Sequence, residues 1–377
     1  MVALARKTLI HDWRRFLPAI IAVACAGLLQ LIQAALVLGI FASASVYITG
    51  SSAQLWIGYP GTQSVSLGRV INGGVESRLL VDPAVSQVEP FLWVDADWRG
   101  PADTGGISVF VSGIETQSQG MMFSKVLSAN LRTRLREPDA VIVDRADLDS
   151  LGVGVGETAT INGRTIHVVG VANGLRALGG VNVITSLDTA RRLDPNLADG
   201  RSVTYLLASL RDPAQAEAVA KRLRGSAGFG SYAVWTAESF ARRSQMYWLF
   251  DTGAGAGVLF LAGIVFLAGA VVTSQTLMAA VLGSVREYAT LNALGVGIGA
   301  LSRVVMEQAF WVGAFGVIGS GVIGWVMLAT ARRYGVPVEL DPGVTAICLA
   351  LVMVLAVVSG LFAMRSVRRA DPVSLLR

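Results

Sequence analysis

Long stretches without a charged residue limit this chain more than any other feature of its sequence. Residues 252–285 contain no Asp, Glu, Lys or Arg, and residues 308–331 contain none either. Each stretch exceeds the roughly 20 apolar residues that an α-helix needs to cross a bilayer. Charged residues make up 15% of the chain, against about 25% in a soluble domain. The sequence therefore predicts a membrane protein.

Four transmembrane helices are predicted, at Leu17–Tyr47, Thr252–Val285, Val304–Ala329 and Val344–Met364. The first has a basic start and small residues near Ala42, as a cleaved signal peptide would have. We favour a retained helix, because the uncharged stretch runs from Leu17 to Leu67, whereas the apolar region of a signal peptide covers about 7–15 residues. The first two helices are longer than the bilayer requires, so residues 42–52 and 247–257 are expected to form a stalk outside the membrane.

Basic residues beside the helices predict the orientation. Ten of them flank one side of the membrane, and only Arg332 and Arg333 flank the other. Because basic residues are retained in the cytoplasm, both termini are expected to be cytoplasmic and the large block between the first two helices to lie outside. That block, residues 49–249, holds 19 basic and 19 acidic residues. The net charge of +5 comes from the membrane flanks and gives no reason to expect a nucleic-acid partner.

Short β-like runs separated by turns fill the outer block. Strands are predicted at 64–68, 91–98, 107–114, 140–144, 158–163, 165–172, 204–210 and 231–236, and helices near 75–80 and 213–224. Asn162-Gly163 predicts a hairpin turn. The fold class is therefore four transmembrane α-helices with a large α+β extracytoplasmic domain inserted between helices 1 and 2. Within that domain, a core of about 50–135 and 200–245 would carry an inserted part at about 136–200.

Small residues recur at a spacing of four on the later helices. Gly253 and Gly257 form one pair, and Gly316, Ser320 and Gly324 form a longer row. This spacing allows two helices to approach closely. The alternative is the ordinary glycine excess of membrane helices.

Motifs for catalysis are absent from the sequence. It has no G-x-S-x-G, no H-E-x-x-H and no G-x-x-x-x-G-K-[ST]. Its two histidines are His11 and His167, and the acid pairs Asp95/Asp97 and Asp144/Asp147/Asp149 fit turns and strand ends. We predict that the chain is not an enzyme and holds no metal or cofactor.

A short polar break separates the second and third helices. It reads REYATLNALG (286–295), and the chain ends RRADPVSLLR (368–377). A helix over this break would place Tyr288, Leu291 and Gly295 on one edge, suited to docking in a partner's groove, with Arg286 and Glu287 at the membrane surface. The alternative is a plain interfacial turn without a partner.

These motifs and the order of elements resemble the FtsX/MacB-like permeases of ABC transporters, most of all the DevC-type exporter subunits. The resemblance extends over essentially the whole chain. The break matches the family pattern at Arg286, Glu287, Tyr288, Ala289, Leu291, Ala293, Leu294 and Gly295. It departs at Asn292, where a basic residue is common. The tail matches at Ala370, Asp371, Pro372, Leu375, Leu376 and Arg377.

The resemblance implies that the chain transmits force. Its partners would be a cytoplasmic ABC ATPase dimer that carries ATP and Mg, a second permease copy in a homodimer, a periplasmic adaptor and an outer-membrane channel. The complex would sit in a bacterial inner membrane and export glycolipid, lipid or other hydrophobic envelope cargo. Arg286, Glu287, Tyr288, Leu291, Leu294 and Gly295 would contact the ATPase. Asp371, Pro372, Leu375 and Leu376 would form a tail facing it.

Two other functions share this layout. One is an FtsX-like relay that controls a periplasmic cell-wall hydrolase, and the other is lipoprotein extraction of the LolC/LolE kind. The outer domain of about 200 residues favours the exporter, because the relay type tends to have a smaller one. The implied segments are 1–16 (cytoplasmic amphipathic segment), 17–48 (helix 1 and stalk), 49–246 (periplasmic domain), 247–285 (stalk and helix 2), 286–303 (coupling segment), 304–331 (helix 3), 332–343 (outer loop), 344–364 (helix 4) and 365–377 (cytoplasmic tail).

Overall fold

A computed structural model of the chain describes residues 13–101, 105–224, 232–283, 290, 297–333, 338 and 341–369. The chain divides into two compact units. We call Met1–Gly39 with Gly255–Arg377 the membrane unit, and Ile40–Ala254 the outer unit. The α-helices are α1 (Trp13–Ala44), α2 (Val46–Thr49), α3 (Val75–Val81), α4 (Ala129–Arg134), α5 (Leu148–Leu151), α6 (Leu187–Leu193), α7 (Ala216–Arg224), α8 (Ala237–Met246), α9 (Ala254–Gly283), α10 (Ile298–Arg333) and α11 (Pro342–Arg369).

Four of these helices are long and apolar enough to cross a membrane. The candidate spans are Trp13–Ala44, Gly255–Gly283, Ser302–Ala331 and Pro342–Phe362. The outer unit joins the first of them to the second. The predicted fold class, four transmembrane helices with an α+β domain between the first two, is confirmed.

The row of small residues on α10 packs against α1 within the membrane unit. A Cβ added to Gly316 would lie 2.5 Å from Val23, and a Cβ added to Gly27 would lie 2.7 Å from the Ser320 hydroxyl. Gly324 follows one turn later, beside Leu31. The predicted close approach of helices along this row is confirmed, because a Cβ at Gly316 or Gly27 would overlap the facing helix. Gly257, by contrast, has nothing within 4 Å of its added Cβ.

The outer unit is built on a nine-stranded sheet. Its strand order is β11-β1-β10-β3-β4-β8-β5-β7-β6, and β2 and β9 form a separate pair. The strands are β1 (Leu55–Gly58), β2 (Ile71–Asn72), β3 (Val85–Arg99), β4 (Ile107–Ile114), β5 (Ala140–Asp144), β6 (Thr158–Ile161), β7 (Arg164–Ala172), β8 (Val181–Ser186), β9 (Ser202–Val203), β10 (Tyr205–Leu210) and β11 (Ala233–Thr236).

Strand β3 belongs to two parts of this sheet. Its first half pairs with β10, and its second half pairs with β4. Its last residues also pair with β6, with Trp98 opposite Ile161. The pairings β3-β4-β8-β5-β7-β6-β3 therefore close into a six-stranded ring, in which the neighbours β4/β8 and β5/β7 are parallel. The ring uses strands from both predicted parts of the domain, and the two-part division stays a prediction.

An aromatic cluster fixes α8 against the open end of the sheet. Trp56 of β1 lies 5.9 Å from Phe91, 5.5 Å from Tyr205 and 5.7 Å from Phe240, measured between ring centroids. All four side chains are buried. Such aromatic contacts contribute about 0.5–1.5 kcal/mol per pair beyond the area that they bury. They give α8 a fixed position, and the chain then continues from α8 toward α9.

Most predicted strands are confirmed, and one is wrong. Residues 64–68 form a 3₁₀ turn at Val65–Leu67. Four strands were not predicted: β1, β2, β8 and β9. All four residues of β1 are buried, so its sequence lacks the alternation that marks a half-buried strand. The hairpin turn at Asn162-Gly163 is confirmed, with φ of 49° and 78°, as a type I′ turn requires.

Candidate functional site

The residues predicted to contact an ATPase lie outside the part of the chain that the structure describes. This applies to Arg286, Glu287, Tyr288, Leu291, Leu294 and Gly295, and to Asp371, Pro372, Leu375 and Leu376. Their described neighbours are the ends of two membrane-length helices, α9 ending at Gly283 and α10 beginning at Ile298. The coupling role of these residues stays a prediction.

The structure does describe the two chain segments through which the outer unit continues into α1 and α9. We define the junction as segments 41–52 and 237–251, both within the outer unit. Gln245, near the end of α8, donates from Nε2 to the Ser45 hydroxyl at 3.1 Å and to the Phe41 carbonyl at 3.4 Å. One side chain thus fastens the last turn of α1 to the end of α8.

A second set of contacts at the junction comes from the loop 173–180, between β7 and β8. The Leu178 amide donates to the Ser43 carbonyl at 3.3 Å. Gly179, at φ 94°, lies against the Trp248 ring, where an added Cβ would be 3.1 Å from the indole. The loop therefore contacts both segments of the junction and requires glycine at this position.

The other end of this loop is held by buried polar groups. The Leu175 amide donates to Asp144 at 2.8 Å, and Asn182 Nδ2 donates to the Leu175 carbonyl at 3.1 Å. Arg176 Nε donates to the buried Asp147 carboxylate at 2.9 Å. Burial raises the pKa of Asp147, and the Arg176 guanidinium opposes that rise. The loop is thus a rigid link between the ring of strands and the junction.

A third set of contacts at the junction involves the turn 120–127, which follows β4. The Ser52 amide donates to the Met121 carbonyl at 3.1 Å, and the Lys125 amide donates to the Gly50 carbonyl at 3.2 Å. Phe123, at φ 54°, packs its ring 6.0 Å from that of Tyr47. A bulky residue at positive φ is costly and persists only where surrounding contacts fix it.

Two buried charged residues form hydrogen bonds with this turn or beside it. Glu89 is 1% exposed and Arg132 is 2% exposed. The Glu89 carboxylate accepts from the amides of Met121 and Met122. The Arg132 guanidinium donates to the carbonyls of Glu115 and Met122. Both side chains therefore bind the main chain at Met122.

Burial perturbs both groups. It raises the pKa of Glu89, which the two amide donors and the positive charge of Arg132 partly counteract. It also lowers the pKa of Arg132, against the attraction of Glu89 and Glu115. The carboxyl group is tolerated inside the domain because hydrogen bonds and a nearby cation compensate the loss of water.

Among the described residues, no group of three or more His, Cys, Asp or Glu side chains could hold a metal ion. His167 lies on β7, partly exposed, with Nε2 at 3.4 Å from Glu137. Asp95 accepts from the Ser108 hydroxyl at 3.2 Å on the surface. Asp144 and Asp147 serve the loop 173–180.

The predicted stalk at 42–52 and 247–257 includes part of the junction, but the contact of its first segment with α8 was not predicted. Gln245 lies in an ordinary amphipathic helix, and only the fold brings it to Ser45. Glu89 gave a usable signal, because it precedes the apolar run Pro90–Val94 within a strand that proves to be central. A charged residue in a central strand needs a partner, which here is Arg132.

Two family models match the chain. The MacB-like periplasmic core domain matches residues 20–226, and the FtsX-like permease C-terminal domain matches residues 259–372. The first match alone covers more than half of the sequence. The chain shows no match among curated proteins.

Two solved structures are similar to about half of this chain. The periplasmic region of MacB from Actinobacillus actinomycetemcomitans is 12% identical, covering 52% of this chain and 94% of its own length, with a TM-score of 0.36. The extracellular domain of the ABC-type transporter YknZ from Gram-positive bacteria is 14% identical, covering 49% and 100%, with a TM-score of 0.35. On the family matches, this chain belongs to the FtsX/MacB-like permeases, the membrane subunits of ABC transporters, whose members work with cytoplasmic ABC ATPases.

Proposed function

We propose that the chain is the permease subunit of an ATP-driven exporter, which transmits the motion of a cytoplasmic ATPase dimer to its outer unit and so moves hydrophobic envelope cargo. The order of the two family matches carries this proposal. A MacB-like periplasmic core is followed along the same chain by an FtsX-like permease domain. ATP and Mg would be bound by the partner ATPase, and the chain would act as a homodimer.

The proposed path of force begins at the segment 286–303. ATP binding would close the ATPase dimer and push Arg286, Glu287 and Leu291 of each copy. Helix α9 would carry the displacement toward Trp248 and Gln245. The hydrogen bonds of Gln245 to Ser45 and Phe41 support this step, because they make the two connections of the outer unit move together.

The proposed topology follows from the basic flanks. Both termini and residues 286–303 would lie in the cytoplasm of a bacterium, and the outer unit in the periplasm. Four membrane-length helices are consistent with this arrangement, because an even number of spans returns the chain to its starting side.

Uncoupling is the direct test of the proposal. A triple variant, Arg286→Ala with Glu287→Ala and Leu291→Ala, should leave the protein folded and the ATPase active while ATP-driven output is lost. The matched control is Arg332→Ala with Arg333→Ala, expected on the opposite side of the membrane, which should keep full output. Unchanged output in the triple variant would contradict the coupling role.

Purification of the native complex identifies the output. An adaptor and an outer-membrane channel in the complex would support export of the DevC-type. A peptidoglycan hydrolase would instead support an FtsX-like relay, and a bound lipoprotein would support extraction of the LolC/LolE kind.

A further inference from the structure

A pocket open to solvent lies beside the junction, between segment 48–54 and one face of α8. Its volume is about 600 Å³, and its walls include Thr49, Lys125, Arg242 and Gln245. A second pocket of about 430 Å³ shares Glu238 and Arg242 with the first and extends to Arg243 and Met246. The two pockets lie along α8 and share these two side chains, and we call them together the α8 groove.

Cations in the α8 groove have donors available for a ligand. Lys125 Nζ donates one hydrogen bond, to the Thr49 carbonyl at 2.9 Å. Because an ammonium group has three N–H donors, two remain to be used. Arg243 adds a further exposed cation on the next position of α8.

Arg242 is held only weakly where it is. Its Nη2 lies 3.3 Å from the Glu238 carboxylate one turn earlier on α8, and the two side chains are 75% and 85% exposed. An exposed pair of this kind contributes little. The guanidinium is therefore free to turn toward a stronger acceptor, and a phosphate group accepts two parallel N–H bonds from it.

Two exposed apolar residues follow Arg242 along the chain, and the first of them, Met246, lines the second pocket. Met246 is 48% exposed and Phe250 is 55% exposed, and both lie between Arg242 and the start of α9. On the other wall, the groove begins four residues after α1 ends at Ala44. A phosphate ester without an acyl chain would leave these two apolar side chains exposed to water. A ligand with an acyl chain would cover both, which is favourable.

We infer that the α8 groove binds an anionic amphiphile, with a phosphate headgroup between Lys125 and Arg242 and its apolar chain along Met246 and Phe250. This inference rests on the proposed function for the side of the membrane on which the groove lies. It extends that function by naming the class of cargo, a phospholipid-like molecule from the outer leaflet.

Binding of a short-chain lipid tests the inference. Dioctanoyl phosphatidic acid is titrated into the full chain, purified in detergent and freed of native lipid, and its Kd is measured by native mass spectrometry. Lys125→Gln and Arg242→Gln should each weaken binding about fivefold, as loss of one cation at a membrane surface does. Glu238→Gln should tighten binding, because it releases Arg242. Lys221→Gln, at an exposed position of α7, should leave the Kd unchanged.

Three results would overturn the inference. If glycerol 3-phosphate bound as tightly as the lipid, the acyl chains would contribute nothing to the affinity. If dioctanoylglycerol bound as tightly as dioctanoyl phosphatidic acid, the phosphate would contribute nothing to the affinity. Equal weakening by Glu238→Gln and Arg242→Gln would show that only the fold of α8 matters.

The proposed function can fail separately. If the triple variant at Arg286, Glu287 and Leu291 keeps its output, the coupling role falls while lipid binding stands. If that variant loses output but wild-type protein binds no phosphatidic acid, the groove assignment falls while the coupling role stands.

Discussion

Replacing Arg132 with Met tests whether the buried charges hold the junction. Met has a similar length and no charge, so Glu89 keeps its buried carboxylate and loses the nearby cation. The carbonyls of Glu115 and Met122 also lose their donor. Removal of one partner from a buried charge pair destabilises by about 3–5 kcal/mol. In a domain of this size, that corresponds to a fall in Tm of about 6–20 °C.

The loss should depend on pH. In the folded protein burial raises the pKa of Glu89, and Arg132 limits the rise. The stability tied to a raised carboxyl pKa is present at acid pH and is lost as pH rises through the folded value. Without Arg132 the pKa is higher still, so the difference in Tm between wild type and Arg132→Met should widen from acid to neutral pH.

Thermal unfolding of the full chain in detergent, followed by tryptophan fluorescence, measures these differences. Arg134→Met is the matched control, because Arg134 is exposed on the same helix, and it should change Tm little. Adding Glu89→Gln to Arg132→Met should recover part of the loss at neutral pH. A difference that does not vary with pH, or a double variant no better than Arg132→Met, would refute the reasoning.

Two further predictions concern helix packing and the junction. Gly316→Leu should disrupt the packing of α10 on α1, because its side chain would overlap Val23, and should lower resistance to unfolding in detergent; Gly321→Leu, with open space around it, should not. Gln245→Leu should cost about 1 kcal/mol of stability, yet reduce ATP-driven output by releasing Ser45; wild-type output in this variant would count against the path.

Much of the fold follows from local sequence patterns. The membrane helices are evident because charge-free stretches of such length have few other structures available. Strands such as 107–114 and 140–144 coincide with the observed β4 and β5, since turn residues bound each of them. The small residues Gly316 and Ser320 face α1, as their spacing predicted.

The rest depends on contacts between distant residues. Strand β1 follows the uncharged stretch of α1 and is wholly buried, so nothing local separates it from that stretch. The closure of the ring between Trp98 and Ile161 depends on the length of β3, whose pairings extend from β10 to β6. The junction joins residues some 200 positions apart, such as Ser45 and Gln245, which no periodicity can bring together.

Sidedness tests the central claim most directly, because force can pass from the cytoplasm to the outer unit only if the two lie on opposite faces of the membrane. In protein whose Cys25 and Cys348 are replaced by Ala, Thr290→Cys and Ser124→Cys are each exposed to a membrane-impermeant maleimide on intact spheroplasts. We predict that Ser124→Cys is labelled at once and Thr290→Cys only after lysis. Labelling of both positions in intact spheroplasts would contradict the account.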